Sequence, residues 1–196
     1  MSDYRDVIYG KDDNNDYPSK LCDHIVMKYF NAGGGMLLDV GCSGGTHMRY
    51  FARHGMTCKG VDLRDENVKG FEIKGCNIET EKIPFKDNPF DYVFSKSLAE
   101  HVINTDNFFS NVLRVLKTGG IFVCMTPDWK SQASHFWDDY THVHPFTRKS
   151  LRNALTINGF KEAECEYFYQ LPFVWECRFL NIIPMAINAI TTQDMK

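Results

Sequence analysis

The clearest hydrophobic pattern in the chain is a short apolar run that leads directly into glycines. Residues 37–40 have the length and composition of a buried strand, and residues 41–45 carry three glycines. Residues 46–54 then place apolar side chains at helical spacing. The pattern therefore predicts a buried parallel strand, a tight turn and the N-terminus of a helix.

Similar patterns recur along the chain and alternate between strand and helix. Further strands are predicted at residues 57–63, 71–78, 90–95, 121–125 and 161–169. Further helices are predicted at residues 18–30, 65–69, 105–117 and 148–157, with Gly119 and Gly120 ending the third. This alternation predicts an α/β fold, a doubly wound and mostly parallel sheet flanked by helices.

The glycine turn is the first candidate binding site. Without a Cβ, Gly41, Gly44 and Gly45 allow positive φ and the close approach of a ligand to the main chain. Their spacing differs from the dinucleotide fingerprint G-x-G-x-x-G, and the chain contains no G-x-x-x-x-G-K-[ST] phosphate loop. Asp62 ends the next strand about 20 residues further on, where an acid hydrogen-bonds ribose hydroxyls. These features predict adenosine without a pyrophosphate.

Five short motifs follow one another in a fixed order between residues 36 and 160. They occupy residues 39–45, 60–62, 83–93, 100–102 and 114–120. Together they resemble the successive motifs of the class I S-adenosylmethionine-dependent methyltransferases, in the small type 11 and type 23-like branches. The resemblance implies a Rossmann-like domain that binds S-adenosylmethionine and releases S-adenosylhomocysteine.

The resemblance also implies a set of cofactor-binding residues. These are Asp39, Gly41, Cys42, Ser43, Gly44, Gly45, Asp62, Leu63, Asn77, Ile78 and Lys96. Asp39 is expected to brace the turn and to reach the cofactor's amino group through water, and Cys42 is a small residue that fits the turn. The family usually has an acid where this chain has Asn77. An amide oxygen still accepts a hydrogen bond from adenine, and Glu79 is the alternative acceptor.

The acceptor side of the site is predicted from histidines. His101 follows the fourth strand at the carboxyl edge of the sheet, where it either orients the methyl acceptor or takes its proton. Residues 127–146 combine aromatic side chains with further histidines, which is typical of the roof of a small-molecule pocket. The predicted catalytic residues are His101, His142 and His144, with Asp138 or Asp139 orienting an imidazole.

A metal site is a second interpretation of the same segment. His142 and His144 with Asp138 or Asp139 supply two imidazoles and a carboxylate, which is a ligand set for a divalent metal. Because methyl transfer needs no metal, we expect none.

Composition limits the partners and the location. The chain has 196 residues, 43% of them hydrophobic, a net charge of −3 and scattered basic residues. One ordinary domain is expected, and a nucleic-acid partner is not, since phosphates require a clustered basic face. Seven cysteines form no C-x-x-C pair, and no signal peptide opens the chain. Both features predict a reduced, cytoplasmic protein.

The predicted organisation has three parts. Residues 1–17 are a mobile segment or a lid, residues 18–170 the methyltransferase domain, and residues 171–196 an apolar tail packed on it. Glu176, Arg178 and Pro184 interrupt that tail, so no membrane span is expected. The family normally completes its sheet with an antiparallel strand, but no β pattern follows residue 169. An exposed sheet edge, or the tail, would then allow a homodimer.

The predicted function is methyl transfer by in-line displacement to a small-molecule, sugar or lipid-linked acceptor. Two alternatives stay open. One is a module that binds S-adenosylmethionine or S-adenosylhomocysteine without turnover. The other is aminopropyl transfer on the same fold, for which the acidic pair Asp138 and Asp139 would bind a polyamine.

Overall fold

A five-stranded, all-parallel sheet organises the computed structural model, which describes residues 16–31, 33–65, 68–170 and 172–175. The strands are β1 (Met36–Val40), β2 (Thr57–Asp62), β3 (Glu72–Gly75), β4 (Phe90–Lys96) and β5 (Leu116–Met125), in the order β3-β2-β1-β4-β5. The helices are α1 (Tyr17–Tyr29), α2 (Thr46–Arg53), α3 (Thr105–Val115), α4 (Trp129–Gln132), α5 (Arg148–Ile157) and α6 (Pro172–Trp175). The predicted α/β fold, a doubly wound parallel sheet flanked by helices, is confirmed.

Both faces of the sheet are covered, because successive residues of a strand point to opposite sides. Leu38 and Val40 of β1 pack in one apolar layer with Phe108 and Phe109 of α3. Leu37 packs in the other layer with side chains of α1 and α2. Because each fully buried leucine contributes about 1.5–3 kcal/mol, the two layers hold β1 firmly at the centre of the sheet.

Parallel pairing brings the carboxyl ends of all five strands to the same edge. Asp39 lies opposite Gly60, and Asp62 lies opposite Gly75. The segments that leave the strands, at residues 41, 63, 76, 97 and 126, therefore form one continuous surface. Open parallel sheets bind ligands at this edge.

The junction between α3 and β5 differs from the prediction. The helix was expected to reach Lys117 and to end at Gly119 and Gly120, but it ends at Val115. Leu116 is already extended, with φ −78° and ψ 136°, and pairs with Phe90 of β4. Pairing across the sheet thus overrides the local glycine signal.

The predicted strand at residues 161–169 is also wrong, since these residues form a turn and then irregular backbone. Glu166 is bonded to Lys28 and Tyr29 of α1, and Arg148 lies over the ring of Tyr167. Among the described residues β5 pairs only with β4, and a cavity of about 900 Å³ separates β5 from residues 162–168. Alternation alone does not form a strand without a neighbouring edge to pair with.

Several predictions concern residues outside the described ranges. They include residues 1–15 of the predicted lid at 1–17, and residues 171 and 176–196 of the predicted tail at 171–196. Glu66 and Asn67 of the short predicted helix 65–69 also lie outside these ranges. Asp65, Val68 and Lys69 are not helical. None of the helices within the described ranges has the length and apolar character needed to cross a membrane.

Candidate functional site

The turn after β1 is open to a ligand. Gly41 and Gly45 have φ of +78° and +71°, and Ser43 between them has φ +47°. The backbone N–H groups of Gly41 and Cys42 donate to the carbonyl of Val61, at 2.8 and 3.2 Å, which fixes the turn against β2. A Cβ on Gly44 would meet nothing within 4 Å. The turn therefore presents bare main chain at the carboxyl edge.

Asp62 holds this turn from the neighbouring strand. Its Oδ2 accepts a hydrogen bond from the N–H of Ser43 at 2.8 Å, and its Oδ1 accepts from the N–H of Leu63 at 2.8 Å. A carboxylate offers about four lone-pair sites, so two further donors can bind. The carboxylate that was predicted to bind the ribose therefore lies beside the glycine turn, next to the exposed Leu63 side chain.

Asp39 is a buried acid whose bonding is incomplete. It is 2% exposed, and its Oδ2 has no hydrogen-bond partner within the described residues. Burial, and secondarily the nearby Asp62, raise the pKa of Asp39 to about 8. An unpaired buried carboxylate is costly, so a positively charged or donating ligand group would stabilise it. This orphaned oxygen, the bare turn and Asp62 together fit a nucleoside with an attached amino acid.

The raised pKa of Asp39 gives a prediction about stability. The folded state retains a proton on Asp39 up to about pH 8, whereas the unfolded chain loses it near 3.8. The free energy of unfolding of the ligand-free protein should therefore fall as pH rises between these values. Asp39→Asn should flatten this dependence, and urea unfolding at pH 5, 6.5 and 8 measures it. The exposed Asp106→Asn is the control, and equal slopes for Asp39→Asn and the native protein would contradict the prediction.

The residues predicted to frame adenine also make local bonds. Oδ1 of Asn77 accepts from the N–H of Glu79 at 3.0 Å, and Oε1 of Glu79 accepts from the N–H of Ile103 at 2.8 Å. Ile78 is buried between them. Each of these oxygens keeps a second lone pair. The roles of Asn77, Ile78, Leu63 and the alternative Glu79 stay predictions.

Lys96, which was predicted to bind the cofactor, interacts with Ser97, Glu100 and His47. Its Nζ lies 3.4 Å from Oγ of Ser97, at the carboxyl end of β4. Burial lowers the pKa of Lys96, and the negative charge of Glu100 opposes that shift. Burial, followed by the charge of Lys96, lowers the pKa of His47 on α2 to about 4. Leu98 lies directly over Gly41, 3.1 Å from the position of a Cβ there.

Three side chains converge near the segment that follows β4. Glu100, His101 and His142 each offer a ligand atom, and these atoms lie within 4.8 Å of one another. The rings of His101 and His142 are 4.7 Å apart. Glu100 is 1% exposed, and its Oε2 accepts from Oγ1 of Thr126 at 2.8 Å. Burial raises the pKa of Glu100, and the hydrogen bond from Thr126 and the two imidazoles partly offset this rise.

The other residues that were predicted for the acceptor side bond to several different partners. Nδ1 of His144 bonds to the carbonyl of Val102 at 3.0 Å, and its ring stacks on Phe146. Asp138 pairs with the exposed His135 at 3.1 Å. Oδ1 of Asp139 accepts from Thr141, and its Oδ2 lies 3.8 Å from Nε2 of His142. The structure therefore brings His101 and His142 together and leaves His144 outside the cluster.

Comparison with known proteins identifies the region that carries this geometry. The family model described as a methyltransferase domain matches residues 38–124. The match runs from β1 into β5, so it includes the glycine turn, Asp62 and the segment from Lys96 to His101. The sequence-based resemblance to the class I methyltransferases is confirmed.

Individual relatives and solved structures that resemble this chain are also named as methyltransferases. The chain is 32% identical to a ubiquinone biosynthesis O-methyltransferase of Maricaulis maris over 124 residues, 58% of this chain and 49% of that protein. It is 28% identical to squalene methyltransferase 1 of Botryococcus braunii over 65% of this chain and 36% of that protein. A SAM-dependent methyltransferase structure from Archaeoglobus fulgidus has a TM-score of 0.69 at 21% identity, covering 85% of this chain and 79% of that one.

The chain spans half or less of the length of these two curated relatives. The structural likeness shows a shared fold. The family model and the named relatives are thus all methyltransferases, and they are what residues of this chain resemble.

Sequence reasoning missed two residues that the structure brings to this cluster. Glu100 was noticed as part of a motif with His101 but received no role, and Thr126 received none. The signal for Glu100 was the adjacency of an acid and a histidine just after a buried strand. Nothing local pointed to Thr126, because it reaches Glu100 only through the pairing of β4 with β5.

Cys42 packs closely against Gly60 of β2, and this packing gives a second prediction. A Cβ on Gly60 would come within 2.5 Å of Sγ of Cys42 and 3.1 Å of Sδ of Met48. Gly60→Ala should therefore lower the free energy of unfolding by about 1–3 kcal/mol. Cys42→Ala combined with Gly60→Ala should recover part of that loss in a double-mutant cycle. Additive effects of the two substitutions would contradict the predicted contact.

Proposed function

We propose that this protein transfers the methyl group of S-adenosylmethionine to an oxygen atom of a small organic molecule. The observation that carries the proposal is the cluster of Glu100, His101 and His142 beside a nucleoside-type turn. Leu98 contacts the turn at Gly41, and two residues later Glu100 enters the cluster. A hydroxyl acceptor must lose a proton during methylation, and the imidazoles of this cluster are side chains that can accept one.

Bound S-adenosylmethionine supplies a methyl group that its positively charged sulfur has already activated. The residues of the chain orient the two reactants and exclude water. Asp62 would bind the ribose hydroxyls, the turn at residues 41–45 would hold the methionine and ribose parts, and Asp39 would bind the amino group through water. The charge of Lys96 acts on His47 of α2 and on Glu100.

The acceptor oxygen would take the methyl group, and the electron pair of the broken carbon–sulfur bond would stay on sulfur. The proton of the hydroxyl passes to an imidazole of His101 or His142, and the carboxylate of Glu100 stabilises the imidazolium. Thr126 orients Glu100 through its 2.8 Å hydrogen bond. Trp137 and Tyr140, at 54% and 83% exposure, supply apolar surface for the acceptor's body.

Oxygen is favoured over carbon as the accepting atom. The relatives named above include one enzyme named as an O-methyltransferase and one named for squalene. Addition of a methyl group to an alkene needs stabilisation of a carbocation rather than a base that acts on a hydroxyl. The acid–base cluster of this chain therefore fits the first chemistry better.

The test is transfer of a radiolabelled methyl group from S-adenosylmethionine to a panel of phenols, catechols and lipid-linked alcohols, with amines and alkenes as comparison. Labelled ether product is the expected result. Label only in amines or alkenes would contradict oxygen transfer.

The same transfer assay tests one alternative function, and calorimetry tests a second. Binding of S-adenosylmethionine with no transfer to any acceptor would favour a binding module. Calorimetric preference for the decarboxylated cofactor would favour aminopropyl transfer. The side chain of Asp138 is 75% exposed and that of Asp139 is 12% exposed, so the two acids differ in their access to a polyamine.

We also propose a cytoplasmic location, which the cysteine pattern supports: six described cysteines are free thiols. A homodimer through the open side of β5 or the apolar tail, and the absence of a nucleic-acid partner, stay predictions.

A further inference from the structure

Two ionisable side chains lie on the same face of the sheet, where β1 and β4 reach the carboxyl edge. Asp39 of β1 lies opposite Phe94 of β4. Phe94, and Leu37 two residues before Asp39, pack in the apolar layer that includes α1 and α2. Because residues two apart in a strand share a face, Lys96 leaves β4 on the side of Phe94. An acid and a base therefore occupy neighbouring strands on the face that α2 covers.

These two groups do not neutralise each other. Oδ2 of Asp39 is buried and has no hydrogen-bond partner within the described residues. Within the same residues Nζ of Lys96 forms no ion pair, and its one hydrogen-bond partner is the uncharged Oγ of Ser97, at 3.4 Å. Besides burial, the pKa of Asp39 responds to Asp62 and the pKa of Lys96 responds to Glu100. Each group can therefore be matched by a ligand group of opposite charge.

His47 adds a hydrogen-bond donor beside Lys96. It is the second residue of α2, and its ring lies 5.3 Å from the ring of Phe94, which places the imidazole over the same face. Burial, followed by the charge of Lys96, lowers the pKa of His47 to about 4, so the ring is neutral at pH 7 and one nitrogen carries a proton. The N-terminus of α2 has no side-chain cap, and its partial positive charge favours an anion. The surroundings of Lys96 therefore suit a carboxylate.

The arrangement is complementary to an α-amino acid. Such a group carries an ammonium and a carboxylate on one carbon atom, and this face of the sheet offers a carboxyl group and an ammonium in return. The face borders the glycine turn, because Gly41 follows Asp39 by two residues. Asp62 holds the same turn from β2 through the N–H of Ser43. The nucleoside side and the amino-acid side of the site thus meet at one turn.

We propose that Lys96 and His47 bind the carboxylate of the cofactor's methionine part and make the protein select S-adenosylmethionine over its decarboxylated form. The inference rests on the proposed function, since it assigns residues to the same cofactor. It also gives an electrostatic reason for methyl transfer rather than aminopropyl transfer, because the decarboxylated cofactor would leave Lys96 without an anion.

A competing role for Lys96 is to balance the buried charge of Glu100. The two side chains influence each other, but they do not form an ion pair within the described chain. The two roles predict different results. A lysine that serves only Glu100 would affect every ligand of the cofactor site equally, whereas a lysine that binds a carboxylate would affect only ligands that carry one.

The test compares two ligands of the full chain by isothermal titration calorimetry at pH 7. One is S-adenosylhomocysteine, and the other is its decarboxylated analogue, which keeps the nucleoside, the sulfur and the amino group. The native chain should bind S-adenosylhomocysteine at least about tenfold more tightly, because a hydrogen bond between charged groups contributes that factor or more. Lys96→Met should remove most of this preference by weakening S-adenosylhomocysteine alone.

Four further variants serve as controls. Lys96→Arg keeps the charge and should retain most of the preference. Lys86→Met removes an exposed lysine and should bind both ligands as the native chain does. Asp39→Asn should weaken both ligands by the same factor, because both carry the amino group. His47→Phe keeps a ring against Phe94 and should lower the preference by a smaller factor than Lys96→Met.

Equal affinity of the native chain for the two ligands would overturn the carboxylate site, and so would a preference that survives in Lys96→Met. Equal weakening of both ligands in Lys96→Met would also overturn it and would assign Lys96 to Glu100. These results leave methyl transfer intact, whereas failure of the native chain to bind S-adenosylhomocysteine would contradict the proposed function itself. Native affinity of Lys96→Met for the decarboxylated analogue shows that this variant is folded and supports the site.

Discussion

Asp62→Ala should weaken binding of S-adenosylhomocysteine by about ten- to a hundredfold. The carboxylate accepts from the N–H groups of Ser43 and Leu63 and has lone pairs left for the two ribose hydroxyls. A hydrogen bond to a charged group is worth about 1.5–3 kcal/mol, and each 1.4 kcal/mol is a factor of ten in affinity. Isothermal titration calorimetry measures the change. Asp62→Asn should give an intermediate loss, because one side-chain oxygen remains.

The control is a carboxylate near the amino ends of the strands, away from the carboxyl ends where Asp62 lies. Glu72 begins β3 and pairs with Lys59, whereas Asp62 ends β2 beside Gly75. Glu72→Gln should leave the affinity unchanged. If Asp62→Ala bound the nucleoside as tightly as the native chain, the assignment of Asp62 to the ribose would be wrong.

Glu100→Gln should lower kcat for methyl transfer by about a hundredfold or more while leaving the affinity for S-adenosylhomocysteine nearly unchanged. Proton uptake by a positioned group contributes about 10²- to 10⁴-fold to a rate, and Glu100 supplies the buried charge of the cluster. The amide keeps the size of the side chain and its bond to Thr126, so packing is preserved. Single-turnover kinetics with the best acceptor of the panel measure the effect.

His135→Gln is the control for this variant. His135 lies in the same segment, but its ring is exposed and pairs with Asp138. It should keep the native kcat. A Glu100→Gln enzyme with the native kcat, or one that loses cofactor affinity instead, would remove Glu100 from the acceptor side.

The cofactor half of the site could be predicted from the sequence because its geometry is encoded locally. The positive φ at Gly41 and Gly45 requires glycine, and the strand that ends in Asp62 fixes the carboxylate beside the turn. The parallel sheet followed from the alternation of apolar strands and amphipathic helices. These features depend on neighbours in sequence or on one strand pair.

The acceptor half could be predicted only in part. His101 and His142 were named, but their meeting with Glu100 depends on the bonds from Val143 and His144 to the carbonyl of Glu100. His144 was expected in the site on its proximity to His142, whereas its ring bonds to Val102 instead. Contacts between segments about 40 residues apart leave no periodic signal in one sequence.

The errors in the fold have the same origin. The end of α3 was placed by the glycines at 119 and 120, but pairing of Leu116 with Phe90 decides it. The alternation at residues 161–169 was sufficient for a strand, yet within the described chain this segment bonds to α1 rather than to a strand edge. Local propensity is overridden where tertiary contacts are stronger.

The most direct test of the account is a crystal structure of the chain with S-adenosylhomocysteine. The account predicts the nucleoside against the turn at residues 41–45, with both ribose hydroxyls on the carboxylate of Asp62 and the sulfur on the side facing His101. A nucleoside bound elsewhere, or a turn filled by the protein's own side chains in the presence of saturating ligand, would contradict it.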